Sequence, residues 1–380
     1  MNRIHRLRRD ESGMSYVFIG LSMMAFLSAS ILAIDVGMLM TARNQAQNSA
    51  DAGALAGATA LIYDDFNNRS ASGPAVTSAI SGATSNQVMR ANVSVTAADV
   101  TFPNDPAGQP NRVKVNVFRQ ASRGNPVATL IASLFGITSA NIAATATAEA
   151  SPANAATCIK PFTIPDRWIE RQTPGWDPTD TFSAYPKNPS LQPDVYYPPG
   201  DPSYAGYDPF RDKGLQLVLK AGTGNNINPS FYYPWDIPGS TGASDYRWNI
   251  DNCNTTQMGV GELLTAEPGN MVGPTQQGTE ALVARDPTAY WDFSTNSPHS
   301  SMHPSPRVIV IPLFDPYYYD TGKKNGRTAD LKAVNYMGFF IEGVNGNGDV
   351  TGRITPISGL RRGNGPMPNG FFPKVIRLVQ

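Results

Sequence analysis

The chain is poor in cysteine and in charge. Its two cysteines, Cys158 and Cys253, belong to no C-x-x-C pair and no Cys/His cluster, which excludes structural zinc and iron–sulfur sites. Charged residues make up 16% of the 380 residues, against about 25% in a typical soluble domain. The 30 basic residues balance the 30 acidic ones, so no net field attracts a nucleic-acid backbone. We therefore expect no nucleic-acid partner.

Signatures of the common enzyme classes are absent as well. The sequence contains no G-x-S-x-G, G-x-x-x-x-G-K-[ST] or G-x-G-x-x-G pattern, which mark hydrolase, nucleotide and dinucleotide sites. We therefore expect no catalytic residue, no cofactor and no small-molecule substrate. An enzymatic function, that of an envelope hydrolase, stays open as an alternative, because two carboxylates can meet in three dimensions without any sequence signature.

The sequence does contain a long uncharged segment near its start. Residues 12–34 carry no charged side chain, and at about 1.5 Å rise per residue they are long enough to cross a bilayer as one helix. Four arginines precede this segment, whereas the twenty residues after it contain one basic residue, Arg43. This asymmetry predicts a cytoplasmic basic leader at residues 1–11, with the rest of the chain beyond the membrane.

Three other interpretations of this segment stay open. A cleaved signal peptide would be cut at the small residues 28–30, although the apolar run continues beyond them to Ile34. A prepilin-type cut after Gly13 agrees with the basic leader, but Phe18 stands where such a pilin carries a glutamate. The third is a buried helix of a soluble protein, which the uninterrupted length disfavours.

The helical pattern continues beyond the apolar segment. No proline occurs from Asp35 to Leu61, and good helix formers dominate. Small side chains recur there at spacings of three and four residues and form one narrow stripe, the packing stripe: Ala46, Ala50, Gly53, Ala54, Gly57 and Ala58. Such a stripe lets a second backbone approach closely. It predicts either packing on the protein's own sheet or docking of a partner helix.

Three features follow one another along about residues 9–61. They are Asp10-Glu11-Ser12-Gly13 after the basic leader, an apolar span ending in Ala33-Ile34-Asp35-Val36-Gly37, and the box Ala50-Asp51-Ala52-Gly53-Ala54-Leu55-Ala56-Gly57-Ala58. Together they resemble the N-terminal segment of TadE/TadG-like proteins of the tight-adherence (Tad/Flp) pilus system, and the resemblance weakens towards residue 150.

The resemblance implies a single-pass protein of the bacterial inner membrane, with a cytoplasmic N-terminus and a periplasmic bulk. It also implies pilus-assembly or envelope proteins as partners, contacted through the long helix. Phe18, in place of the prepilin glutamate, favours an uncleaved TadG-like accessory protein over a processed pilin subunit.

Residues 35–150 are expected to combine the long helix with a small α/β module similar to that of pilin-like proteins. Residues 75–89 have the composition of a short helix. Alternating apolar residues predict strands at 93–97, 113–117 and 142–148. Asn125-Pro126 is a helix start signal, so residues 127–135 are expected to be helical, with Gly136 ending the helix.

From Cys158 onwards the composition shifts to aromatic residues, proline and glycine. We expect a linker at residues 151–156 and a turn-rich, mostly antiparallel β domain at 157–380, so the fold class is α+β. Strands are predicted at 215–220, 307–313, 334–344, 350–357 and 375–379, and a helix at 276–284. Each of five Asp-Pro steps predicts a turn in which the aspartate binds its own backbone: Asp177, Asp201, Asp208, Asp286 and Asp315.

Cys158 and Cys253 both fall in this β domain, which the predicted topology places in an oxidising compartment. A disulfide between them would close a loop of roughly 95 residues and stabilise the fold by about 4–5 kcal/mol on the chain-entropy model. The alternative is a pair of buried free thiols.

Two polar patterns resemble metal sites but are incomplete. His299 and His303 have the spacing of ligands on one helix face, yet the prolines around them predict an exposed loop. Residues 292–296 are similar to the metal-binding D-x-S-x-S motif, but Asn296 replaces the last serine. We therefore predict no metal at either place.

Residues 345–349 begin like a calcium loop. Asn345, Asn347 and Asp349 have the spacing of the first ligands, but Val350 stands where that loop requires glycine. The segment lies between two predicted strands and is glycine-rich. We interpret it as a hairpin turn.

Aromatic residues cluster in the β domain. Tyr232, Tyr233, Trp235, Trp248 and Trp291 either form an exposed surface that stacks on sugars or proteins, or fill the core. The exposed alternative gives a second hypothesis for the function, a glycan- or peptidoglycan-binding module on a membrane anchor. The first hypothesis is a non-enzymatic, membrane-anchored TadG-like accessory protein of Tad/Flp pilus assembly or envelope attachment.

Overall fold

The computed structural model describes residues 12–379 except 107, 174, 223–225, 303, 323, 326–327, 330, 364–366 and 368. Within these residues the internal contacts divide the chain into two units. The N-terminal unit comprises residues 12–60, 68–149 and 378–379, and the C-terminal unit comprises 61–67 and 150–377. The fold is α+β, so the predicted fold class is confirmed. The basic leader lies outside the described residues.

The N-terminal unit combines two helices with an antiparallel sheet. Its elements are helices α1 (Ser12–Tyr63, whose last turn belongs to the other unit) and α2 (Pro74–Thr84), strands β1 (Gln87–Val88), β2 (Ala91–Asn92), β3 (Val100–Thr101), β4 (Arg112–Arg119), β5 (Val127–Ala128), β6 (Ser139–Ala140) and β7 (Ile142–Pro152), and 3₁₀ turns at Ala97–Asp99, Ala121–Arg123 and Ala132–Phe135. Strand β4 pairs with β3 on one side and with β7 on the other. The register of β4 and β7 runs from Arg112 opposite Glu149 to Arg119 opposite Ile142.

Small and β-branched side chains form the core of this unit. Alternate residues of β4 and β7 are buried: Val113, Val115, Val117, Ile142, Ala144, Ala146 and Ala148. Buried alanines of the two helices complete the core: Ala42, Ala46, Ala50, Ala54 and Ala58 of α1, and Ala75, Ala79 and Ala83 of α2. Short side chains on both sides allow the helix backbones to approach each other closely.

Two predictions for this unit are wrong. Residues 93–97 do not form a strand, because Ser94 makes one bridge to Phe118 before the chain coils into a 3₁₀ turn. Residues 127–135 do not form a helix, since β5 pairs with β6 and only Ala132–Phe135 coils, as a 3₁₀ turn. Gly136 ends that turn in the left-handed region, as expected.

The other predictions for this unit differ from the structure mainly in length. The strands predicted at 113–117 and 142–148 are confirmed as the middle of β4 and the first part of β7. The helix predicted at 75–89 is confirmed as α2, but it ends at Thr84. The chain then reverses through the hairpin of β1 and β2, with positive φ at Met89 and Arg90.

The C-terminal unit is built on a larger sheet. Its helices are α3 (Gly242–Asp251), α4 (Val272–Ala284) and α5 (Pro316–Thr321), and its strands are β8 (Ala155–Ala156), β9 (Phe162–Pro165), β10 (Gln216–Ala221), β11 (Phe231–Asp236), β12 (Met258–Gly259), β13 (Leu263–Ala266), β14 (Tyr290–Asp292), β15 (Ser297–His299), β16 (Val308–Phe314), β17 (Lys324–Asn325), β18 (Thr328–Ala329), β19 (Leu331–Val344), β20 (Val350–Ile354) and β21 (Lys374–Val379). Seven strands pair in the order β10-β20-β19-β13-β11-β9-β16. Further pairings of β10 with β11 and of β16 with β19 close this sheet on itself.

Large side chains fill the interior of the C-terminal unit in two main clusters. The first contains Phe162, Leu219, Ile311 and Phe339 with Tyr246 of α3 and Leu282 of α4, and the second contains Trp168, Phe182, Trp235, Phe314 and Tyr336. Helices α3 and α4 pack closely at Gly278, where an added Cβ would lie 2.8 Å from Cβ of Ile250.

The long elements predicted here agree with the structure. The five predicted strands correspond to β10, β16, β19, β20 and β21, and the helix predicted at 276–284 is the C-terminal part of α4. Residues 151–156, expected as a linker, instead contain the end of β7 and all of β8. Their small side chains are buried, and Ala155 exchanges backbone hydrogen bonds with Leu360. Small size here reflects close packing and not flexibility.

Candidate functional site

Helix α1 has two parts with different surroundings. Its first part carries large apolar side chains that are 48–76% exposed: Met14, Tyr16, Val17, Phe18, Ile19, Leu21, Met23, Met24, Phe26, Leu27 and Ile34. None of its most apolar stretch is buried in the protein. A helix that is apolar on every side is suited to hydrocarbon and not to water. This part of α1 is therefore a candidate membrane span.

Polar groups in this part satisfy one another within the helix. The hydroxyl of Ser28 donates to the carbonyl of Met24 at 2.8 Å, and that of Ser30 donates to the carbonyl of Phe26 at 2.9 Å. Hydrocarbon offers no hydrogen-bond partners, so such bonds back to the helix are what a membrane span requires.

The packing stripe lies in the second part of α1 and is covered by the protein itself. A Cβ added at Gly53 would lie 2.8 Å from Cβ of Ala83, and one added at Gly57 would lie 2.9 Å from Cβ of Ala79 and from Cγ1 of Val113. The approach is reciprocal, since a Cβ at Gly82 of α2 would lie 2.8 Å from Cβ of Ala56. Helix α2 and strand β4 therefore occupy this face.

The four alanines of the stripe are also inside. Ala46, Ala50, Ala54 and Ala58 are at most 1% exposed. Of the two interpretations of the stripe, the geometry is that of packing within the unit, and a partner helix would have to displace α2 to reach it. A partner that contacts α1 must therefore use another face, where Arg43, Asn44 and Asn48 are exposed.

Asp35 is buried where the apolar part of α1 ends. Its side chain is 5% exposed, and its carboxylate accepts three backbone N–H groups of one loop: Leu130 at 2.9 Å, Ile131 at 3.2 Å and Ala132 at 2.5 Å. The hydrogen bonds from Ala132, Leu130 and Ile131 lower the pKa of Asp35. The sequence showed Asp35 only as part of a motif. Its position as an acidic residue directly after the candidate membrane span is the sequence signal that could have indicated this role.

Four of the five aromatic residues considered for a binding surface belong to the core. Tyr232 and Trp235 are fully buried, and Tyr233 and Trp291 are 8% and 5% exposed. Tyr232 belongs to the first core cluster, and Tyr233 and Trp235 belong to the second, so both faces of β11 meet other side chains. A sugar-stacking surface needs exposed ring faces, so these four residues do not form one. Trp248 on α3 is 52% exposed.

Asp166 organises an irregular segment of the C-terminal unit. It is fully buried and accepts the hydroxyls of Tyr196 at 3.0 Å and Tyr204 at 2.9 Å, together with the N–H of Tyr207 at 3.1 Å. Burial raises the pKa of Asp166 to about 6, against the hydrogen bonds, which lower it. The group holds three loop positions together.

Three of the five Asp-Pro steps form turns in the same segment. The carboxylates of Asp177, Asp201 and Asp208 each accept the N–H two residues on, which confirms the predicted turns. Asp315 instead accepts the N–H of Tyr318 and caps α5. At Asp286 the prediction is wrong, because its carboxylate accepts the side-chain hydroxyls of Ser300 and Ser305.

Cys158 and Cys253 are joined in the structure, with 95 residues of sequence separation. They border a cavity of about 700 Å³, whose wall also includes Lys160 and the ion pair of Arg285 with Asp251 at 2.8 Å. Lys160 donates to the carbonyl of Asn252 at 2.8 Å and to that of Asn249 at 3.3 Å.

Burial lowers the pKa of Lys160 to about 7. Both of its acceptors are carbonyls at the C-terminal end of α3, which a helix leaves without partners. Lys160 is thus a buried cap of α3, a structural role.

The incomplete ligand patterns form turns and loops. Asp292 accepts the N–H and the hydroxyl of Ser294 in the turn between β14 and β15. Asn345 accepts the N–H of Asp349 at 3.0 Å in the turn between β19 and β20, so the predicted hairpin is confirmed.

The loop predicted at His299 is wrong, because this exposed residue lies in β15, where it pairs with Tyr290 of β14 and their rings are 4.9 Å apart. His303 lies outside the described residues. Among the residues that the structure describes, no three His, Cys, Asp or Glu side chains are grouped as metal ligands.

Comparison with known families agrees with the resemblance seen in the sequence. Residues 13–60 match the family model Tad, described as "Putative Flp pilus-assembly TadE/G-like". No curated protein and no solved structure matches the chain. The matched residues comprise the candidate membrane span, Asp35 and the packing stripe, and the match ends within the N-terminal unit.

Proposed function

We propose that this chain is a non-enzymatic accessory protein of Tad/Flp pilus assembly or envelope attachment. It is anchored in the bacterial inner membrane by residues 12–34, with the N-terminus in the cytoplasm and both folded units in the periplasm. The observation that carries the proposal is the coincidence of the family match with the two parts of α1, the exposed apolar part and the packed part.

The orientation is supported by charge. Four arginines precede the span and one basic residue, Arg43, follows it within twenty residues, and basic flanks are retained in the cytoplasm. The pair of Cys158 and Cys253 supports the same orientation, because disulfides persist in oxidising compartments such as the periplasm.

Partner contacts are proposed on the exposed polar face of α1. Since α2 covers the packing stripe, the exposed polar positions of α1 soon after the span include Arg43, Asn44 and Asn48. We propose that pilus-assembly or envelope proteins contact this face.

A fusion of the full chain to alkaline phosphatase at its C-terminus tests the anchoring. We expect an active phosphatase that stays with the membranes during alkaline extraction. A matched variant that lacks residues 14–34 should be inactive and soluble. A processed signal peptide would give active but extractable protein, and N-terminal sequencing detects a cut after Gly13. An inactive fusion of the full chain would overturn the proposed orientation.

Crosslinking tests the partner surface. A photoreactive group at Asn44 or Asn48 should capture a protein of the pilus-assembly system in membranes. The same group at Asn104, an exposed position of the loop before β4, is the matched control and should capture none. Equal capture from Asn104, or none from Asn44 and Asn48, would count against a partner on this face of α1.

A further inference from the structure

We propose that residues 129–137, which we call the apolar loop, insert into the periplasmic interface of the same bilayer that α1 crosses. The loop would give the N-terminal unit a second contact with lipid besides its helix. This inference rests on the membrane anchoring proposed above.

The apolar loop exposes three large apolar side chains. Leu130 is 64% exposed, Phe135 is 66% exposed and Ile137 is 59% exposed. Among the described residues of the N-terminal unit, the other exposed large hydrophobic side chains lie in α1 from Met14 to Met40, apart from Leu378. A concentrated apolar surface of this kind marks a site of contact with a partner or a membrane.

The position of the loop points to the membrane as its partner. Asp35 is the first residue after the span, and its carboxylate holds the backbone of Leu130, Ile131 and Ala132. The loop is therefore fixed beside the turn at which α1 leaves the hydrocarbon. Leu130, whose own N–H donates to Asp35, therefore lies next to the end of the span.

Apart from the buried Asp35, the segments beside the span carry no charge. No charged residue occurs from Gly124 to Ala148, and none occurs on α1 from Val36 to Ala42. Insertion would therefore bring no charged side chain of these segments into the interface. Moving a charge towards hydrocarbon is expensive, so this is a condition that an inserting loop has to meet.

The loop is already ordered by its own hydrogen bonds. Strands β5 and β6 pair at its base, and the hydroxyl of Thr129 donates to the carbonyl of Ile137. Gly136 closes the tip in the left-handed region. A preorganised loop loses little conformational freedom when its side chains enter lipid.

Fluorescent labels at defined positions of the full chain test the insertion. Single cysteines replace Phe135 or Ile137 and are labelled with an environment-sensitive maleimide, which leaves the disulfide intact. The protein is placed in phosphatidylethanolamine and phosphatidylglycerol vesicles that contain lipids brominated either near the headgroup or deep in the chain.

Two reference labels make the result interpretable. Leu21→Cys reports the span, and Asn104→Cys reports an exposed loop before β4, whereas the apolar loop follows the other end of that strand. We expect deep quenching at position 21, shallow quenching at positions 135 and 137, and none at 104. Asp35→Asn should reduce the quenching at 135 and leave that at 21 unchanged.

Other results would overturn the inference. If position 21 is quenched while 135 and 137 behave like 104, the span is in lipid but the loop is not. If positions 135 and 137 are shielded from aqueous iodide without lipid quenching, a protein or a second copy covers the loop. If position 21 is not quenched, the membrane anchoring fails, and the inference fails with it.

Discussion

The two units are stabilised in contrasting ways. The core of the N-terminal unit consists largely of alanine and valine, and its helices meet at Gly53, Gly57 and Gly82. The core of the C-terminal unit contains large aromatic residues, a closed sheet and a disulfide. The comparison indicates that one unit depends on close backbone approach, whereas the other depends on large side chains and crosslinks.

The two units can also be followed by different measurements. All five tryptophans lie in the C-terminal unit, at positions 168, 176, 235, 248 and 291. Tryptophan fluorescence therefore reports the unfolding of that unit alone. Amide hydrogen exchange resolves the N-terminal unit through peptides of α2 and β4.

Loss of the disulfide should have the largest effect and should be confined to the C-terminal unit. Replacing Cys158 and Cys253 by serine releases a loop of 95 residues, for which chain entropy gives a loss of about 4–5 kcal/mol in the free energy of unfolding. Denaturant titration followed by tryptophan fluorescence measures this loss. Exchange in α2 should stay unchanged, and an unaltered tryptophan transition would show that the bond contributes nothing.

Enlarging a glycine of the packing stripe should instead destabilise the N-terminal unit and leave the C-terminal unit unchanged. A Cβ at position 57 would already lie 2.9 Å from Cβ of Ala79 and from Cγ1 of Val113, and Gly57→Leu adds further atoms there. We therefore expect the free energy of unfolding of the N-terminal unit to fall by about 3 kcal/mol. Hydrogen exchange in α2 and β4 measures it. Gly37→Leu is the matched control, because nothing lies within 4 Å of its added Cβ. Equal effects of the two variants would disprove the close approach.

The stability of the C-terminal unit should depend on pH, because Lys160 is buried in it. Burial lowers the pKa of Lys160 to about 7 from 10.5, so between these values the unfolded chain binds a proton that the folded chain does not. Stability therefore rises from pH 7 to 9, by at most about 1.4 kcal/mol per pH unit for one group. Burial lowers the pKa of Lys374 to about 8, which adds to the rise at the upper end.

Lys160→Met tests this dependence. The variant should reduce the rise in the tryptophan-monitored free energy of unfolding between pH 7 and 9. Lys187→Met, at an exposed position, should keep it. A rise of the same size in Lys160→Met would mean that Lys160 keeps its proton in the folded protein.

The sequence predicted the elements whose patterns are long and local. The alternation in β4 and the apolar runs of β16 and β19 needed no tertiary information. Strands β9, β11 and β13 were missed because they lack a clear alternation of apolar and polar residues: all four residues of β9 are buried, Pro234 interrupts β11, and Leu264 is the one buried residue of β13. Helix α3 was missed because its buried residues are few: Tyr246, Asn249 and Ile250.

The candidate site was predicted as far as it depends on composition. The candidate membrane span depends on consecutive residues, so its apolar length was visible in the sequence. The partner of the packing stripe was not visible in the sequence, since a face of alanine and glycine suits a helix of the same chain or of another chain. The apolar loop was misread as a helix because its N–H groups bind Asp35, which lies about 95 residues away in sequence.

Asp35→Asn should give the smallest and most local effect. A carboxylate has two oxygen acceptors and an amide has one, so the N–H groups of Leu130, Ile131 and Ala132 lose part of their hydrogen bonding. Exchange should accelerate in residues 129–137 and stay unchanged in β4 and in the C-terminal unit. Thr41→Val is the matched control, because its hydroxyl binds only the carbonyl of Gly37 in its own helix. Acceleration throughout β4 would mean that Asp35 supports the whole N-terminal unit and not this loop alone.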